Sequence, residues 1–151
     1  MSKNLQIDQL EAKIGAYRPL RATSTPPTGW TKAIRLALGM SLQQLASRLS
    51  ITKQSAQELE MREKDGTISI KSLKAAAQAL DMELVYAFVP KDGSLHALIE
   101  RKAQELATRI VKRTSTTMRL EGQENSKERI QNAINERAAL LKHEMPKALW
   151  D

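Results

Sequence analysis

The chain has 151 residues, of which 41% are hydrophobic, enough for one ordinary domain with an appendage and a packed core. Only five residues are aromatic, so the core is built mainly from Leu, Ile and Ala, which favours helices over sheet. The absence of cysteine excludes disulfides, thiolate metal sites and cysteine nucleophiles.

The net charge of +7 suits a polyanionic partner, because each Lys or Arg near a phosphate releases condensed counterions. Basic and acidic groups number four and two in residues 1–30, eight and six in 31–90, and twelve and nine in 91–151. Charge alone therefore does not locate a DNA site. Without an apolar signal core or a stretch long enough to span a membrane, we expect a cytoplasmic protein, nucleoid-associated when bound to DNA.

The first forty residues predict a helix, a linker and a second short helix. Residues 4–17 carry an amphipathic stripe of Leu5, Ile7, Leu10 and Ile14. Three prolines and a Thr/Ser cluster indicate a linker over residues 18–29. Residues 30–38 predict one or two helical turns, ended by Gly39 as the cap.

Three helices are predicted over residues 41–80. The first begins at Ser41, with Gln44 completing a capping-box pattern, and faces inward with Leu42, Leu45, Ala46 and Leu49. After a tight turn, Thr52 caps the second helix, which covers residues 52–61 and buries Ala56 and Leu59. Ser69 caps the third, whose apolar positions are Ile70, Leu73, Ala76, Ala77 and Leu80.

The remaining residues predict one strand and two helices. Residues 83–89 are β-branched and aromatic, which indicates a strand stopped by Pro90. A lone strand needs a partner, either its own copy in a dimer or residues near the N-terminus. Asp92 or Ser94 caps a long helix to about residue 113, residues 114–117 interrupt it, and Ser126 caps a last helix with Ile130, Ile134, Ala138 and Leu141.

The helices on either side of residues 50–51 have the requirements of a helix-turn-helix. Two short helices that cross steeply need a small side chain at their closest approach, and Ala46 provides it. The turn usually contains Gly, but Ser50 stands there instead. Ile51 is then expected to plug the core, with Ala56 and Leu59 seating the second helix.

This arrangement leaves hydrogen-bonding side chains pointing outward near the start of the second helix. Gln can bridge adenine, Lys can reach guanine and Glu can accept from cytosine in the major groove. We therefore predict base contacts from Thr52, Lys53, Gln54, Ser55, Gln57 and Glu58. The alternative is an ordinary helical hairpin with a polar outer face.

The same stretch resembles the Xre/Cro family of repressor domains. Leu45-Ala46, Ser50-Ile51-Thr52 and Leu59-Glu60 match the pattern of that family, apart from the Gly of the turn. The resemblance implies that Gln43 touches the phosphate backbone, as do Lys71 and Ser72 from the following helix. Lys71 and Lys74 are equally explained as solvated surface charges.

Longer runs are similar to the family called mobile mystery protein A. They are Pro26–Met40 (PPTGWTKAIRLALGM), Gly66–Leu73 (GTISIKSL) and Ala76–Pro90 (AAQALDMELVYAFVP), and the similarity extends over residues 5–124. Members are typically encoded in mobile elements beside a Fic-domain protein, mobile mystery protein B. The resemblance implies an antitoxin-like partner of that protein and a repressor of the operon.

One segment fits the inhibitory pattern of Fic proteins, Ser/Thr-x-x-x-Glu-Gly/Asn. It contains Thr117, Glu121 and Gly122. In Fic proteins the glutamate pairs with the arginine that binds the ATP γ-phosphate, so AMP transfer stops. By that resemblance Glu121 inhibits the partner. The alternative is a solvated glutamate before a helix-ending glycine.

No catalytic site, cofactor or metal site is predicted, because the two histidines are far apart and no phosphate loop or nucleophile elbow is present. We expect a mainly α fold: an Xre/Cro-like helix-turn-helix bundle with one short β-strand and a C-terminal helical extension. Residues 1–29 form a helix and linker, 30–90 the DNA-binding domain, and 91–151 a candidate dimer- or partner-binding region. The expected protein is a homodimeric repressor. The alternative is a protein inhibitor or interaction module that uses the repressor fold only as scaffold.

Overall fold

The structure, a computed structural model, describes residues 2–120 and 126–151, with the backbone alone for residues 116–120. The described residues are mainly helical, which confirms the predicted fold class. The α-helices, in chain order, are α1 (Lys3–Gly15), α2 (Trp30–Ala37), α3 (Leu42–Arg48), α4 (Lys53–Asp65), α5 (Ile70–Ala79), α6 (Leu95–Leu120) and α7 (Lys127–Glu144). Short 3-10 helices cover Arg18–Ala22 and Lys147–Trp150. None of the described helices is both long and apolar enough to cross a membrane.

Two compact units make up the chain. Pro19–Ala87 forms one of them and contains α2, α3, α4 and α5; we call it the repressor-like unit. Met1–Arg18 and Phe88–Asp151 together form the other, which contains α1, α6 and α7; we call it the terminal unit.

The repressor-like unit has a small core made of leucine and alanine. Leu45 is fully buried and packs with Ala79 and Leu80, and the half-buried Ile34, Met40 and Leu49 close around them. Ala46, Ala56 and Ala76 are also fully buried. Because these side chains are short, the helices approach one another closely, and little apolar area is available to hold them.

Side-chain caps begin three of these helices at the predicted residues. Ser41 accepts a hydrogen bond from the Gln44 N–H at 3.0 Å, and the Gln44 side chain accepts in return from the Ser41 N–H at 2.8 Å, which completes the capping box. Thr52 caps α4 and Ser69 caps α5, each with a side-chain oxygen that accepts from the N–H three residues later. These caps set where each helix begins, and hence which side chains reach the surface.

The terminal unit is built on an antiparallel pairing of α6 with α7. Both helices present alanines to each other, so their backbones pack closely. The buried set is Ile99, Ala103, Ala107, Ile134, Ala138, Leu141 and Leu149. Of the two predicted caps for α6, the one seen is Ser94, which accepts from the Ala97 N–H, while Ser126 caps α7 as predicted.

α1 joins the terminal unit at the start of α6. The Glu11 carboxylate accepts a hydrogen bond from the Leu95 N–H, the first residue of α6, and pairs with Arg18. A carboxylate at a helix N-terminus satisfies an otherwise unpaired N–H and complements the helix dipole. Ile7 packs against the α6–α7 core.

Two predicted features are wrong. Residues 83–89 form no strand, because the described part of the chain offers them no second strand to pair with. The predicted interruption at residues 114–117 is also absent, since α6 continues to Leu120. The Thr114 hydroxyl donates to the Ile110 carbonyl at 3.1 Å, so this threonine is accommodated inside the helix.

The C-terminal 3-10 helix gives a first prediction. Leu149 is 1% exposed in the terminal-unit core, whereas its neighbour Trp150 is 54% exposed. Leu149→Ala is expected to destabilise this unit by about 2–5 kcal/mol, because it removes buried methyl groups and leaves a cavity. Trp150→Ala is the matched control. Calorimetric unfolding measures both, and equal losses would contradict this placement of Leu149.

Candidate nucleic-acid interface

The candidate interface is built on the crossing of α3 with α4. The two helices pack directly against each other, with Leu45 and Ala46 of α3 and Ala56 of α4 all fully buried. The small side chain predicted at the closest approach, Ala46, is therefore where the fold requires it. This contact holds α4 on the surface of the repressor-like unit.

The turn between these helices depends on Ser50. Its φ is +57°, the left-handed region, which costs an L-residue about 1–2 kcal/mol and is usually occupied by Gly. The Ser50 N–H donates to the Ser47 carbonyl at 3.1 Å, and the Ile51 N–H donates to the Ala46 carbonyl at 3.0 Å. These two bonds end α3 and reverse the chain within the short turn.

The expected core plug at Ile51 is wrong. Ile51 is 36% exposed, and Leu49, one residue before the left-handed turn, packs against the core instead. Once the turn has satisfied the last carbonyls of α3, the interior beneath it is already occupied by Leu45, Leu49 and Leu80.

All six residues predicted to touch bases are exposed and lie at the start of α4: Thr52, Lys53, Gln54, Ser55, Gln57 and Glu58. Thr52 and Ser55 are already engaged with each other. The Thr52 hydroxyl accepts from the Ser55 N–H at 3.0 Å and donates to the Ser55 hydroxyl at 2.9 Å. The longer side chains among the six are therefore the ones best able to reach a ligand.

α4 is longer than predicted, and its outward face continues beyond residue 61. It ends at Asp65, with Met61 56% exposed one turn after Gln57. Arg62 lies 3.8 Å from the Glu58 carboxylate, and both side chains are largely exposed. The helical spacing of Gln54, Glu58 and Arg62 is the signal that identifies this extended polar face.

The three predicted phosphate contacts differ in exposure. Gln43 is exposed near the start of α3, and its amide donates to the Ser47 hydroxyl at 3.4 Å. Lys71 is exposed in the first turn of α5. Ser72 is half-buried, and its hydroxyl accepts from the Ser69 hydroxyl at 3.0 Å. Gln43 and Lys71 are thus the better placed of the three to reach a phosphate.

A buried ion pair, missed by the sequence analysis, joins α2 to α4. Arg35 and Glu60 are 7% and 5% exposed. The Arg35 guanidinium donates from Nε to Glu60 Oε2 at 2.7 Å and from Nη2 to Oε1 at 3.0 Å, and Nη1 donates to the Met40 carbonyl at 3.1 Å. The hydrogen bonds to Glu60 raise the pKa of Arg35 above its usual value. The sequence signal for this pair is helical spacing. Arg35 lies one turn after Thr31, and Glu60 lies one turn after Ala56, so each charge falls on the inward face of its helix.

A second carboxylate of α4 caps α2. Glu63 accepts hydrogen bonds from the Trp30 and Thr31 N–H groups, at 2.5 and 3.0 Å. A Cβ at the preceding Gly29, whose φ is +89°, would lie 2.9 Å from the Glu63 side chain, so this approach needs glycine. Glu60 and Glu63, on the inward side of α4, therefore fix its position relative to α2, and the outward side is left to contact a ligand.

Comparison with known proteins supports this assignment for one part of the chain. Residues 32–86, about a third of the sequence, match the helix-turn-helix family. No curated protein and no solved structure matches the chain. The chain thus contains an Xre-type helix-turn-helix domain, which supports a DNA-binding role in transcription regulation. That domain is regulatory rather than catalytic. Across residues 2–120 and 126–151, no group of three or more His, Asp or Glu side chains is arranged to hold a metal ion.

The buried pair gives the second prediction. Glu60→Ala is expected to destabilise the repressor-like unit by about 3–5 kcal/mol, because it leaves the Arg35 charge buried without its partner. The double variant Arg35→Met, Glu60→Leu removes both charges and is expected to recover most of that loss. Urea unfolding followed by Trp30 fluorescence, in a chain carrying Trp150→Phe, measures this unit alone.

Glu58→Ala is the control, since Glu58 is exposed on the same helix and its pair with Arg62 contributes little. If Glu60→Ala costs no more than Glu58→Ala, the buried pair does not hold α4 in place.

Proposed function

We propose that the protein is a sequence-specific transcriptional repressor that binds operator DNA as a homodimer and inserts the start of α4 into the major groove. The observation that carries the proposal is the exposed polar face of α4 on a helix-turn-helix scaffold. A recognition helix contacts base edges with its N-terminal residues, where these side chains lie. Thr52 and Ser55 shape the start of the helix through their shared cap.

The side chains of this face suit direct readout of bases. Gln54 and Gln57 each carry an amide that donates and accepts, which matches the N6 and N7 edge of adenine. Lys53 donates to guanine, and Glu58 accepts from the cytosine amino group. A mixed set of this kind distinguishes base pairs, whereas a uniformly basic face would bind phosphates alone.

Phosphate contacts set the register of α4 on the duplex. We assign Gln43 to this role from the start of α3, and Lys71 from the first turn of α5, with Ser72 beside it. One helix-turn-helix covers only a half-site, so two copies on paired half-sites multiply affinity and specificity. The salt-dependent part of the binding energy comes from the basic side chains that reach phosphates, such as Lys71.

The third prediction tests base readout. Gln54→Ala is expected to weaken binding to the preferred sequence about 5- to 150-fold, corresponding to about 1–3 kcal/mol for a lost bidentate contact, with little effect on unrelated DNA. The preferred sequence is selected from a random duplex pool, and affinities are measured by fluorescence anisotropy at several salt concentrations. Gln131→Ala, an exposed glutamine on α7, is the control.

A scrambled duplex of the same composition separates this proposal from its alternative. If the selected and scrambled duplexes bind equally, the repressor fold serves only as scaffold and the protein is an interaction module or enzyme inhibitor.

We further propose that the chain acts as an antitoxin-like partner of a Fic-domain AMP-transferase from a mobile element. The support is the sequence similarity over residues 5–124 to the mobile mystery protein A family, together with the Thr-x-x-x-Glu-Gly pattern. Thr117 lies within α6, and Glu121 and Gly122 fall outside the described residues. Because a carboxylate takes an arginine in the two-pronged way a phosphate does, Glu121 would occupy the arginine that binds the ATP γ-phosphate.

The fourth prediction tests this partnership. Glu121→Gly is expected to release AMP transfer by the Fic partner, because the arginine becomes available to the γ-phosphate, while DNA binding stays unchanged. Glu124→Gly is the matched control, since Glu124 lies three residues away and outside the pattern. Incorporation of radiolabelled AMP by the purified complex measures the activity. Inhibition that is equally strong with Glu121→Gly would rule out this role.

A further inference from the structure

The segment that joins the two units, residues 83–89, has an apolar surface without cover. Val85, Tyr86 and Phe88 are 67%, 58% and 90% exposed, and Phe88 is the most exposed of the large apolar side chains in the described chain. The segment holds the only phenylalanine of the sequence and one of its two tyrosines. Three neighbouring exposed apolar side chains in a chain with so few aromatics indicate a contact surface.

The backbone of this segment is also unpaired. Within residues 2–120 and 126–151, no N–H or C=O group of residues 83–89 takes part in a hydrogen bond. The Met82 N–H, just before it, is bonded to the Ala77 carbonyl and ends α5, and the turn at Gly93 begins just after it. The segment therefore has four residues of high β propensity, two valines, a tyrosine and a phenylalanine, in a stretch whose backbone groups are available for pairing.

We propose that residues 85–89 pair antiparallel with the same residues of a second copy, across a two-fold axis at Ala87. This inference rests on the homodimer proposed above and names the surface that forms it. An isologous contact of one segment with itself gives a closed dimer, as two half-sites require.

Side-chain pairing selects the register centred on Ala87. In that register Tyr86 lies opposite Phe88 of the second copy, and Val85 lies opposite Val89. The symmetry forms each of these two pairs twice, and such aromatic and β-branched cross-strand pairs stabilise antiparallel strands.

The register centred on Tyr86 is less favourable. It places Tyr86 opposite its own copy and sets the Glu83 carboxylate opposite the apolar Val89. It therefore forms one aromatic pair where the register centred on Ala87 forms two, and it forms no valine pair.

The proposed contact between the two copies is small, so we expect the dimer to be weak. A two-stranded ribbon is marginally stable alone in water. We therefore expect reversible dimerisation that DNA reinforces, because two linked copies on adjacent half-sites raise each other's effective concentration. This makes operator binding cooperative in protein concentration.

Cysteine cross-linking gives the sharpest test, because the chain has no cysteine of its own. Facing residues of antiparallel strands have Cα atoms about 4.5–5.5 Å apart, within the range of about 4.4–6.8 Å found in disulfides. The full-length Ala87→Cys variant is therefore expected to form a disulfide-linked dimer under mild oxidation, without DNA. Ala75→Cys, exposed on α5, is the control and is expected to stay monomeric on a non-reducing gel.

The register is tested by Tyr86→Cys. If Tyr86→Cys cross-links more readily than Ala87→Cys, the register centred on Ala87 is overturned. If neither cross-links more than Ala75→Cys, the pairing itself is overturned.

Sedimentation equilibrium of the unmodified and variant chains provides the second measurement. Phe88→Glu is expected to abolish dimerisation, because it removes an aromatic pair on each side of the axis. Leu140→Glu, a substitution of the same kind at an exposed residue of α7, is expected to leave it intact. A dimer that survives Phe88→Glu would overturn the proposal. Both measurements are made without DNA, so their outcome is independent of whether α4 reads bases.

Discussion

The buried pair of Arg35 and Glu60 is the constraint on which the candidate DNA-binding surface depends. With both groups withdrawn from water, each requires the other, and the hydrogen bonds between them specify the position of α4 relative to α2. Glu63 adds a second tie from the same side of α4 by capping α2. The core around them is made mainly of alanine and leucine. These side chains let the helices approach closely but bury little apolar surface area. Polar geometry therefore specifies an arrangement that apolar burial alone would leave loosely defined.

Much of the fold can be predicted from local sequence patterns. Ser41, Thr52, Ser69 and Ser126 all cap the helices predicted for them, because a cap depends on residues within one turn. Gly39 takes the left-handed conformation after α2 as predicted, and Ser50 takes it where Gly is usual. The exposed face of α4 follows from the same local spacing, once Ala56 is known to be buried.

The charged contacts that prediction missed depend on residues distant in the sequence. Arg35 and Glu60 are charged side chains on apolar faces, and either one alone contradicts the helical pattern until the other is placed beside it. Glu63 caps a helix that begins more than thirty positions earlier, which no capping pattern within α2 could reveal. The motif alone places Ile51 in the core, but the burial of that position depends on how much space Leu45, Leu49 and Leu80 leave.

Residues 83–89 also show that local sequence does not determine structure by itself. Its composition correctly identifies residues that favour a strand, yet a strand is a property of two segments, and the described chain contains no second one. The strand propensity of this segment is therefore not used within one molecule. Phe88 is exposed, and the backbone groups of the segment form no hydrogen bonds in the described chain. The pairing proposed above would supply the missing second segment from another copy, which has the same sequence and the same strand propensity. Under that proposal, strand propensity that a single chain leaves unused is used between two copies.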